Sequence, residues 1–306
     1  MNRLERIYRK QVALPMSSSV TKLLRTLVGM AMLVAAGAAL AENPPGGTLD
    51  RIRQNKTIHI AYREDAPPFS YRNGAGEPAG FMVDLCKAVV QKLSEQLSLP
   101  SLSIAFVPVS ARDRFEAIRQ HKADLLCEPT SDTLSRRELV DFSVATFVDG
   151  ASLMIRPDGP HDLQALAGRK IGVLAGTTTE EALGNSLKSA GLTADIIPAK
   201  THAEGLAMLD DAKISAYFAD RSILVILIMN SKMPENLALA DVYLTVEPYA
   251  LALPRGDEDF RLAVDRALSH IYRGGEIGPI LERTFGGNLK PAPILQTMYL
   301  ISGLPD

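Results

Sequence analysis

The stretch TIHIAYREDAPPFSY, residues 57–71, begins with a short strand-like run, and such runs recur along the rest of the chain. TIHIAY has the composition of a short strand. The run is followed by Arg63, and Pro67 and Pro68 restrict the backbone of the next segment. A cation where a strand ends is either a solvated loop residue or a group held toward a ligand. The stretch therefore predicts a strand whose exit is a candidate site.

Strand-like and helix-like segments alternate from residue 57 to residue 287. Apolar residues recur at every fourth position from Phe81 to Leu93, which predicts a helix over 81–97. The apolar run RKIGVLA, residues 169–175, is a later strand that precedes another helix-like segment. Such alternation is typical of βαβ units with mostly parallel sheets, and it predicts an α/β fold.

Two extended, helix-poor stretches, residues 142–166 and 242–257, interrupt this alternation. We interpret them as two crossings between two lobes, which gives a bilobal clamshell with two hinge crossings. The cleft between such lobes, at the carboxyl ends of parallel strands, is the expected ligand site. The predicted parts are lobe 1 at 50–147 plus 250–290, lobe 2 at 148–249, and a Pro-rich C-terminal tail at 291–306 that lies over a surface.

The first 41 residues are predicted to be a secretory signal peptide. A basic segment precedes the apolar run of residues 27–41, which ends in the A-x-A form at Ala41. This run is too short and too rich in Ala and Gly for a stable membrane span, although an uncleaved anchor is the alternative. Met16 is an alternative start. The mature protein is therefore expected in the periplasm.

The charge of the mature chain excludes some partners. Residues 1–41 carry six Lys or Arg and one Glu, so their removal changes the net charge from −2 to −2 − 5 = −7. A moderately acidic protein is a poor partner for nucleic acid or for an anionic membrane surface. We therefore expect no nucleic-acid partner.

The chain has two cysteines, Cys86 and Cys127. They are far apart, and neither a CxxC motif nor a nearby pair of histidines accompanies them, so we predict no metal site and no cofactor. Export permits a disulfide. The sequence leaves open whether the two form a disulfide or remain free thiols.

Basic and hydroxyl side chains follow several predicted strands. Arg63, Arg114 and Arg136 come after three different strands, and the GTTTEE turn of residues 176–181 follows a fourth. Planar guanidinium groups suit carboxylates, so three converging arginines suggest an anionic ligand. The alternatives are solvated arginines and, for Thr177 or Thr178, an ordinary helix N-cap.

The chain from about residue 57 to 287 resembles the extracellular solute-binding proteins of polar amino-acid ABC transporters, in particular the glutamate/aspartate-binding branch. The resemblance is carried by YREDAPPFSYRNGAGEPAGFMVDLCKAV (62–89), VPVSARDRFEAIRQHKADLLC (107–127), TLSRRELVDFS (133–143), IGVLAGTTTEEAL (171–183) and GGEIGPILERTFGG (274–287). It implies a monomeric clamshell that closes on one amino acid and docks transiently on a membrane-embedded permease.

The resemblance also implies roles for the groups that hold the backbone of the ligand. An arginine six residues before the Phe of VDFS holds the α-carboxylate in this family, and Arg136 has that position. Thr178 of the GTT turn would assist from the other lobe. Asp220, which ends the run AYFAD, would meet the α-ammonium.

In the acidic branch, two further arginines meet the side-chain carboxylate of the ligand. Arg63 and Arg114 match them, and His202 matches a histidine at the start of a later helix. The resemblance thus predicts a site that reads both ends of glutamate or aspartate.

This chain departs from the branch at three positions. Ala111 stands where a hydroxyl is usual, and Glu128-Pro129 stands where a small residue or serine is usual. Ser131 remains as a nearby hydroxyl. Because Glu128 is able to neutralise one arginine, the departures leave the ligand open.

Two other functions are compatible with this fold. One is a periplasmic enzyme such as a dehydratase of aromatic amino-acid precursors, for which Glu128 and Glu64 are the candidate general acids. The other is a sensor that binds solute without transport. Neither acid lies in a recognisable catalytic motif, so we expect a binding protein and not an enzyme.

Overall fold

The computed structural model describes residues 47–286 and 291–306. The predicted signal peptide lies outside these residues. Within the described ranges no helix has both the length and the apolar composition needed to cross a membrane.

The described part of the chain contains ten α-helices and thirteen strands. The helices are α1 (Gly47–Asn55), α2 (Phe81–Gln96), α3 (Arg114–Arg119), α4 (Leu134–Arg137), α5 (Thr178–Ser189), α6 (His202–Asp210), α7 (Arg221–Met229), α8 (Glu258–Arg273), α9 (Ile277–Phe285) and α10 (Pro293–Ser302). The strands are β1 (Thr57–Arg63), β2 (Asp65–Ala66), β3 (Ser70–Arg72), β4 (Pro78–Ala79), β5 (Ser103–Val109), β6 (Leu125–Leu126), β7 (Asp141–Asp149), β8 (Ala151–Ile155), β9 (Lys170–Leu174), β10 (Asp195–Ala199), β11 (Ala216–Asp220), β12 (Ala238–Leu239) and β13 (Glu247–Leu253).

Two five-stranded sheets form the centres of two lobes, with strand orders β5-β1-β6-β13-β7 and β10-β9-β11-β8-β12. In the first sheet β1 runs parallel to β5 and β6, while β13 is antiparallel to β6 and β7. The second sheet repeats this arrangement, with β9 parallel to β10 and β11 and β8 antiparallel to β11 and β12. The predicted α/β fold with two lobes is confirmed.

The chain crosses between the two sheets twice. Strand β7 passes into β8 through Gly150 alone, and residues 240–246 return the chain from β12 to β13. Strands β7 and β13 pair along their length, and Asp149 lies opposite Glu247 at the crossing. Parts of the two stretches that the sequence predicted only as extended chain therefore form β7 and β13. These two strands pair with each other next to the crossing between the lobes.

Apolar periodicity explains why these elements form. Ile58 and Ile60 of β1 are buried, and so are Leu85, Val89 and Leu93, which follow one face of α2. Residues two apart in a strand share one face, and residues four apart in a helix share one face. The two sets of buried side chains therefore lie on facing surfaces. Their packing forms the core of the first lobe.

The two cysteines form a disulfide between α2 and the segment that follows β6. The Cys86 and Cys127 Sγ atoms are 1.97 Å apart, and both residues are fully buried. Of the two possibilities left open by the sequence, the disulfide is therefore the one adopted. It holds the chain immediately before Glu128.

The Pro-rich C-terminus, which the sequence predicted only as a tail over a surface, contains the regular helix α10. Leu295, Met298 and Tyr299 are buried against the first lobe. The hydroxyl of Tyr299 donates to the carbonyl oxygen of Thr146 at 3.1 Å. Pro293 opens the helix, where a missing N–H costs nothing.

Candidate functional site

One cavity lies between the two lobes, with about 370 Å³ of atom-free space that includes open solvent. It is formed at the carboxyl ends of β1, β9 and β11 and by the segment after β6. All seven residues predicted from the sequence line it: Arg63, Arg114, Ser131, Arg136, Thr178, His202 and Asp220.

Arg63 is buried and firmly held at the end of β1. Its Nε and Nη2 donate to Oδ1 of Asp65 at 2.9 and 2.7 Å. Its backbone N–H donates to Ser70 Oγ at 2.9 Å, and that hydroxyl donates back to the Arg63 carbonyl at 3.0 Å. Burial lowers the pKa of Arg63, but Asp65 and Glu128 outweigh it and hold that pKa above its usual value.

Arg114 opens α3 and is also buried. Its Nη1 donates to the carbonyl of Ala111, and its Nη2 donates to the carbonyl of Gly176 in the second lobe at 3.3 Å. Burial lowers its pKa to about 10, and the neighbouring arginines act in the same direction while Glu128 opposes them. The side chain remains charged at neutral pH.

Glu128 lies between these two arginines and is completely buried. Its Oε1 is 3.2 Å from Nε of Arg114, and its Oε2 is 3.8 Å from Nη1 of Arg63. Among the described residues neither oxygen accepts a hydrogen bond of good geometry. Burial raises the pKa of Glu128 against the opposing effect of the arginines. Glu128 does not line the cavity and therefore lies behind its cationic wall.

Arg136 differs from the other two arginines because it forms no ion pair with a carboxylate of the described residues. Within the described part of the chain, no Asp or Glu oxygen lies within 4.0 Å of its guanidinium. Its Nη1 donates to the Ser131 carbonyl at 2.9 Å, and its Cζ lies 5.4 Å from the ring centre of Phe115. The aromatic face supports the guanidinium without neutralising it.

Two hydroxyl groups from different lobes converge on Glu247, which is buried at the start of β13. Thr178 Oγ1 donates to Glu247 Oε2 at 2.9 Å, and Ser131 Oγ donates to the same oxygen. The adjacent Thr177 is the N-cap of α5, since its Oγ1 accepts from the N–H of Glu180 at 3.2 Å. Of the two candidate caps, Thr177 has this role and Thr178 faces the cavity.

A second group of acids surrounds the end of β11. Asp220 accepts from the hydroxyl of Tyr249 at 2.6 Å and from Thr179 Oγ1 at 3.4 Å. Burial, followed by the negative charges of Asp149 and Glu247, raises the pKa of Asp220 to about 7. Within residues 47–286 and 291–306, no Lys or Arg nitrogen lies within 4.0 Å of these three carboxylates.

His202 is the first residue of α6 and is buried. Its Nδ1 lies 3.0 Å from the hydroxyl of Tyr217. Burial and the charge of Arg63 lower its pKa to about 3, so the ring is neutral at physiological pH. Nε2 has no partner within the described residues. When Tyr217 donates to Nδ1, Nε2 carries the proton and is a donor for the cavity.

The two lobes contact each other across this cavity. Arg114 of the first lobe donates to Gly176, and Ser131 Oγ lies 3.4 Å from Thr178 Oγ1. Asp65 Oδ2 accepts from the backbone N–H of His202 at 3.4 Å. Each of these contacts between the lobes therefore involves at least one residue that lines the cavity.

Three acids of this site were not predicted from the sequence: Asp65, Asp149 and Glu247. Asp65 follows Arg63 by two residues, a spacing that places both side chains on one face of extended chain and is a usable signal. Asp149 and Glu247 have no local signal, because their approach depends on the pairing of β7 with β13. Within the described ranges no group of three or more His, Cys, Asp or Glu is placed to hold a metal ion.

A second cavity lies entirely on the second lobe and encloses about 770 Å³ of atom-free space. Its lining is mostly apolar, with Leu153, Leu163, Leu166 and Phe218 among its residues, and contains no lysine or arginine. It is larger, but it offers no counter-ion for an anion. The cavity between the lobes is therefore the better candidate for a polar ligand.

Residues 58–287 match the family model of the bacterial extracellular solute-binding proteins, family 3, and the chain belongs to this family. It is 30% identical over 273 residues to the L-glutamate/L-aspartate-binding protein of Pseudomonas aeruginosa, covering 88% of this chain and 89% of that protein. It is 26% identical over 266 residues to the glutamate/aspartate import solute-binding protein of Escherichia coli K12, covering 86% and 88%. The resemblance seen in the sequence is confirmed.

The fold is similar to that of solved structures of binding proteins. One is an ABC uptake transporter substrate binding protein from Streptococcus pneumoniae with bound histidine, with a TM-score of 0.71 and 20% identity. The match covers 81% of this chain and all of that chain. At this identity the likeness concerns the fold.

Proposed function

We propose that this protein is the periplasmic solute-binding component of an amino-acid ABC transporter, and that it binds glutamate or aspartate between its lobes. One observation carries the proposal. The cavity is lined by three arginines and by Asp220, whose carboxylate lacks an ion pair among the described residues. An α-amino acid is a zwitterion and matches this separation of charge.

Arg136 is the proposed partner of the ligand α-carboxylate. It is the arginine of the cavity that has no Asp or Glu oxygen of the described chain within 4.0 Å of its guanidinium. Its remaining guanidinium N–H groups are available for a bidentate contact with a carboxylate.

Asp220 is the proposed partner of the α-ammonium. The negative charges of Asp149 and Glu247 disfavour its ionisation, and a ligand cation would relieve that repulsion. Ser131 and Thr178 fit the same end. Each has one hydroxyl proton, which it gives to Glu247, so that only lone pairs remain for the ligand. Lone pairs suit an ammonium group.

Arg63, Arg114 and His202 form the proposed site for the ligand side chain. When Tyr217 donates to Nδ1 of neutral His202, Nε2 carries a proton that has no partner in the described structure and suits a carboxylate oxygen. The names of the two relatives at 30% and 26% identity support an acidic ligand.

Closure of the lobes is the proposed mechanism. Ser131 and Thr178 belong to different lobes, as do Asp65 and His202. A ligand that contacts both lobes binds the closed state more tightly than the open state, and so shifts the population toward closure. We further propose export by the N-terminal signal peptide, action as a monomer, and transient docking of the closed form on a membrane permease.

Binding is favoured over catalysis by the positions of the two candidate acids. Glu128 is behind the arginines and does not line the cavity. Glu64 is exposed and accepts from Nε of Arg72 at 2.7 Å. Neither acid is placed to protonate a bound substrate directly.

Calorimetry of the mature protein with all common amino acids tests the proposal. We expect glutamate or aspartate to bind, and we expect Arg136→Ala to weaken every α-amino acid at least about 30-fold, because truncating one partner of a buried charged pair costs about 2–5 kcal/mol. Arg137→Ala is the matched control, since this neighbour is exposed and pairs with Asp132 instead.

Three results would count against the proposal or one of its assignments. Failure of every amino acid to bind the unmodified protein would refute amino-acid binding. Turnover of prephenate or arogenate that depends on Glu128 would favour an enzyme instead. Equal affinities in the Arg136→Ala and Arg137→Ala variants would remove the role assigned to Arg136.

A further inference from the structure

We infer that Glu128 is a specificity-determining residue that makes the side-chain end of the cavity accept an uncharged amide about as well as a carboxylate. Its buried carboxylate lies behind Arg63 and Arg114 and compensates their positive charge. Without Glu128, a ligand carboxylate would have to compensate that charge. The inference rests on the proposed function and concerns which amino acids the same site accepts.

The position of Glu128 allows it to act on both arginines at once. Its two oxygens are 3.2 Å from Arg114 Nε and 3.8 Å from Arg63 Nη1, and the residue is completely buried. The disulfide at Cys127 holds the preceding residue against α2. Glu128 is therefore held beside both arginines and away from solvent.

The charges at this end of the cavity balance without a ligand. Arg63 gives two of its N–H groups to Asp65, and Arg114 faces Glu128. Two guanidinium groups thus face two carboxylates. A ligand side-chain carboxylate would bring a third negative charge into a buried region, whereas an amide brings none, and like charges placed close together are unfavourable.

The hydrogen-bonding groups at this end do not discriminate against an amide. His202 lines the cavity, and its Nε2, which has no partner within the described residues, is a donor when Tyr217 donates to Nδ1. A carboxylate and an amide both present a carbonyl-type oxygen to such a donor. The charge of the side chain is then the main difference between glutamate and glutamine at this end of the cavity. Glu128 reduces the contribution of that charge to the affinity.

Titration calorimetry with L-glutamate and L-glutamine on the mature protein and on Glu128→Gln tests this inference. In the unmodified protein we expect the two dissociation constants to lie within about tenfold. Glu128→Gln should raise the preference for glutamate over glutamine at least about tenfold, since it removes one negative charge beside two guanidiniums.

Glu116→Gln is the matched control. Glu116 lies on α3, the helix that Arg114 opens, but it is half exposed and pairs with Arg119. The substitution Glu116→Gln removes one negative charge from the chain, as Glu128→Gln does, so a general effect of net charge would appear in both variants. We expect the control to leave the ratio of the two affinities unchanged.

The outcomes separate this inference from the proposed function. A preference for glutamate above about 100-fold in the unmodified protein, or a ratio in Glu128→Gln within about threefold of the unmodified ratio, would overturn the role of Glu128 while amino-acid binding stands. Binding of neither ligand by the unmodified protein would also overturn it. Binding of no amino acid at all would refute the proposed function itself.

Thermal unfolding provides a second readout if the variant binds poorly. Glu128→Gln leaves two buried guanidiniums with less compensation, so its Tm without ligand should fall below that of the unmodified protein. Glutamate should then raise the Tm of Glu128→Gln more than glutamine does. Equal stabilisation by both ligands in the variant would contradict the inference.

Discussion

Reduction of the Cys86–Cys127 disulfide is expected to destabilise the folded protein by about 4 kcal/mol. The two cysteines are separated by 41 positions. For a closed loop of this size the chain-entropy relation, about −2.1 − 1.5R ln n in cal/mol/K, gives roughly −13 cal/mol/K, or about 4 kcal/mol at 25 °C. With an unfolding entropy of about 2.1 cal/mol/K per residue, this corresponds to a fall in Tm of roughly 6–7 °C for a chain of this length.

The assay is thermal unfolding by circular dichroism, with and without reductant. The double variant Cys86→Ser, Cys127→Ser is the control, because reductant should not change its Tm. A difference of less than about 1 kcal/mol between oxidised and reduced protein would refute the reasoning, since it would mean that the cross-link does not restrict the unfolded chain. A response of the double variant to reductant would show that the effect arises elsewhere.

Two further predictions concern the cavity. Arg63→Ala should weaken glutamate about 10- to 100-fold but affect amino acids with small side chains much less, because Arg63 is assigned to the ligand side chain; calorimetry that finds equal losses for all ligands would contradict this assignment. The pKa of Asp220 is raised to about 7, and a ligand ammonium favours the ionised form. Affinity should therefore rise with pH by up to about tenfold per unit below pH 7, and Asp220→Asn should flatten this dependence. A flat profile in the unmodified protein would exclude titration of Asp220.

Much of the fold follows from local patterns. The predicted helix over 81–97 ends at Gln96, and the strand predicted from TIHIAY extends only one residue further, to Arg63. Periodicity is a local property, so it is readable without knowledge of the partners. The partners of β7, β8 and β13 were not predictable, because antiparallel pairing joins residues about a hundred positions apart.

The C-terminal helix was predictable in part. Pro293 and the apolar residues up to Ile301 carry the signal of a helix that begins with proline. The two prolines before residue 294 were instead taken as a sign of irregular chain. Proline is disfavoured in the interior of a helix but favoured in its first turn. Its position within the segment therefore decides whether it breaks a helix or begins one.

The convergence of the site was predictable, but its charge balance was not. Arginines that follow parallel strands of one sheet must approach each other, since the carboxyl ends of such strands lie at one edge. Glu247 enters the site because β13 returns along β7 from the second lobe. Asp149 enters at the same crossing. Only the three-dimensional path of the chain brings these acids to the cavity.

A crystal structure of the mature protein with its amino-acid ligand tests the central claim most directly. The account predicts one ligand in the cavity between the lobes, with its α-carboxylate at about 2.7–2.9 Å from the Arg136 guanidinium and its ammonium on the side of Asp220. A ligand bound instead in the apolar cavity of the second lobe, or one whose ammonium faces the arginines, would contradict it.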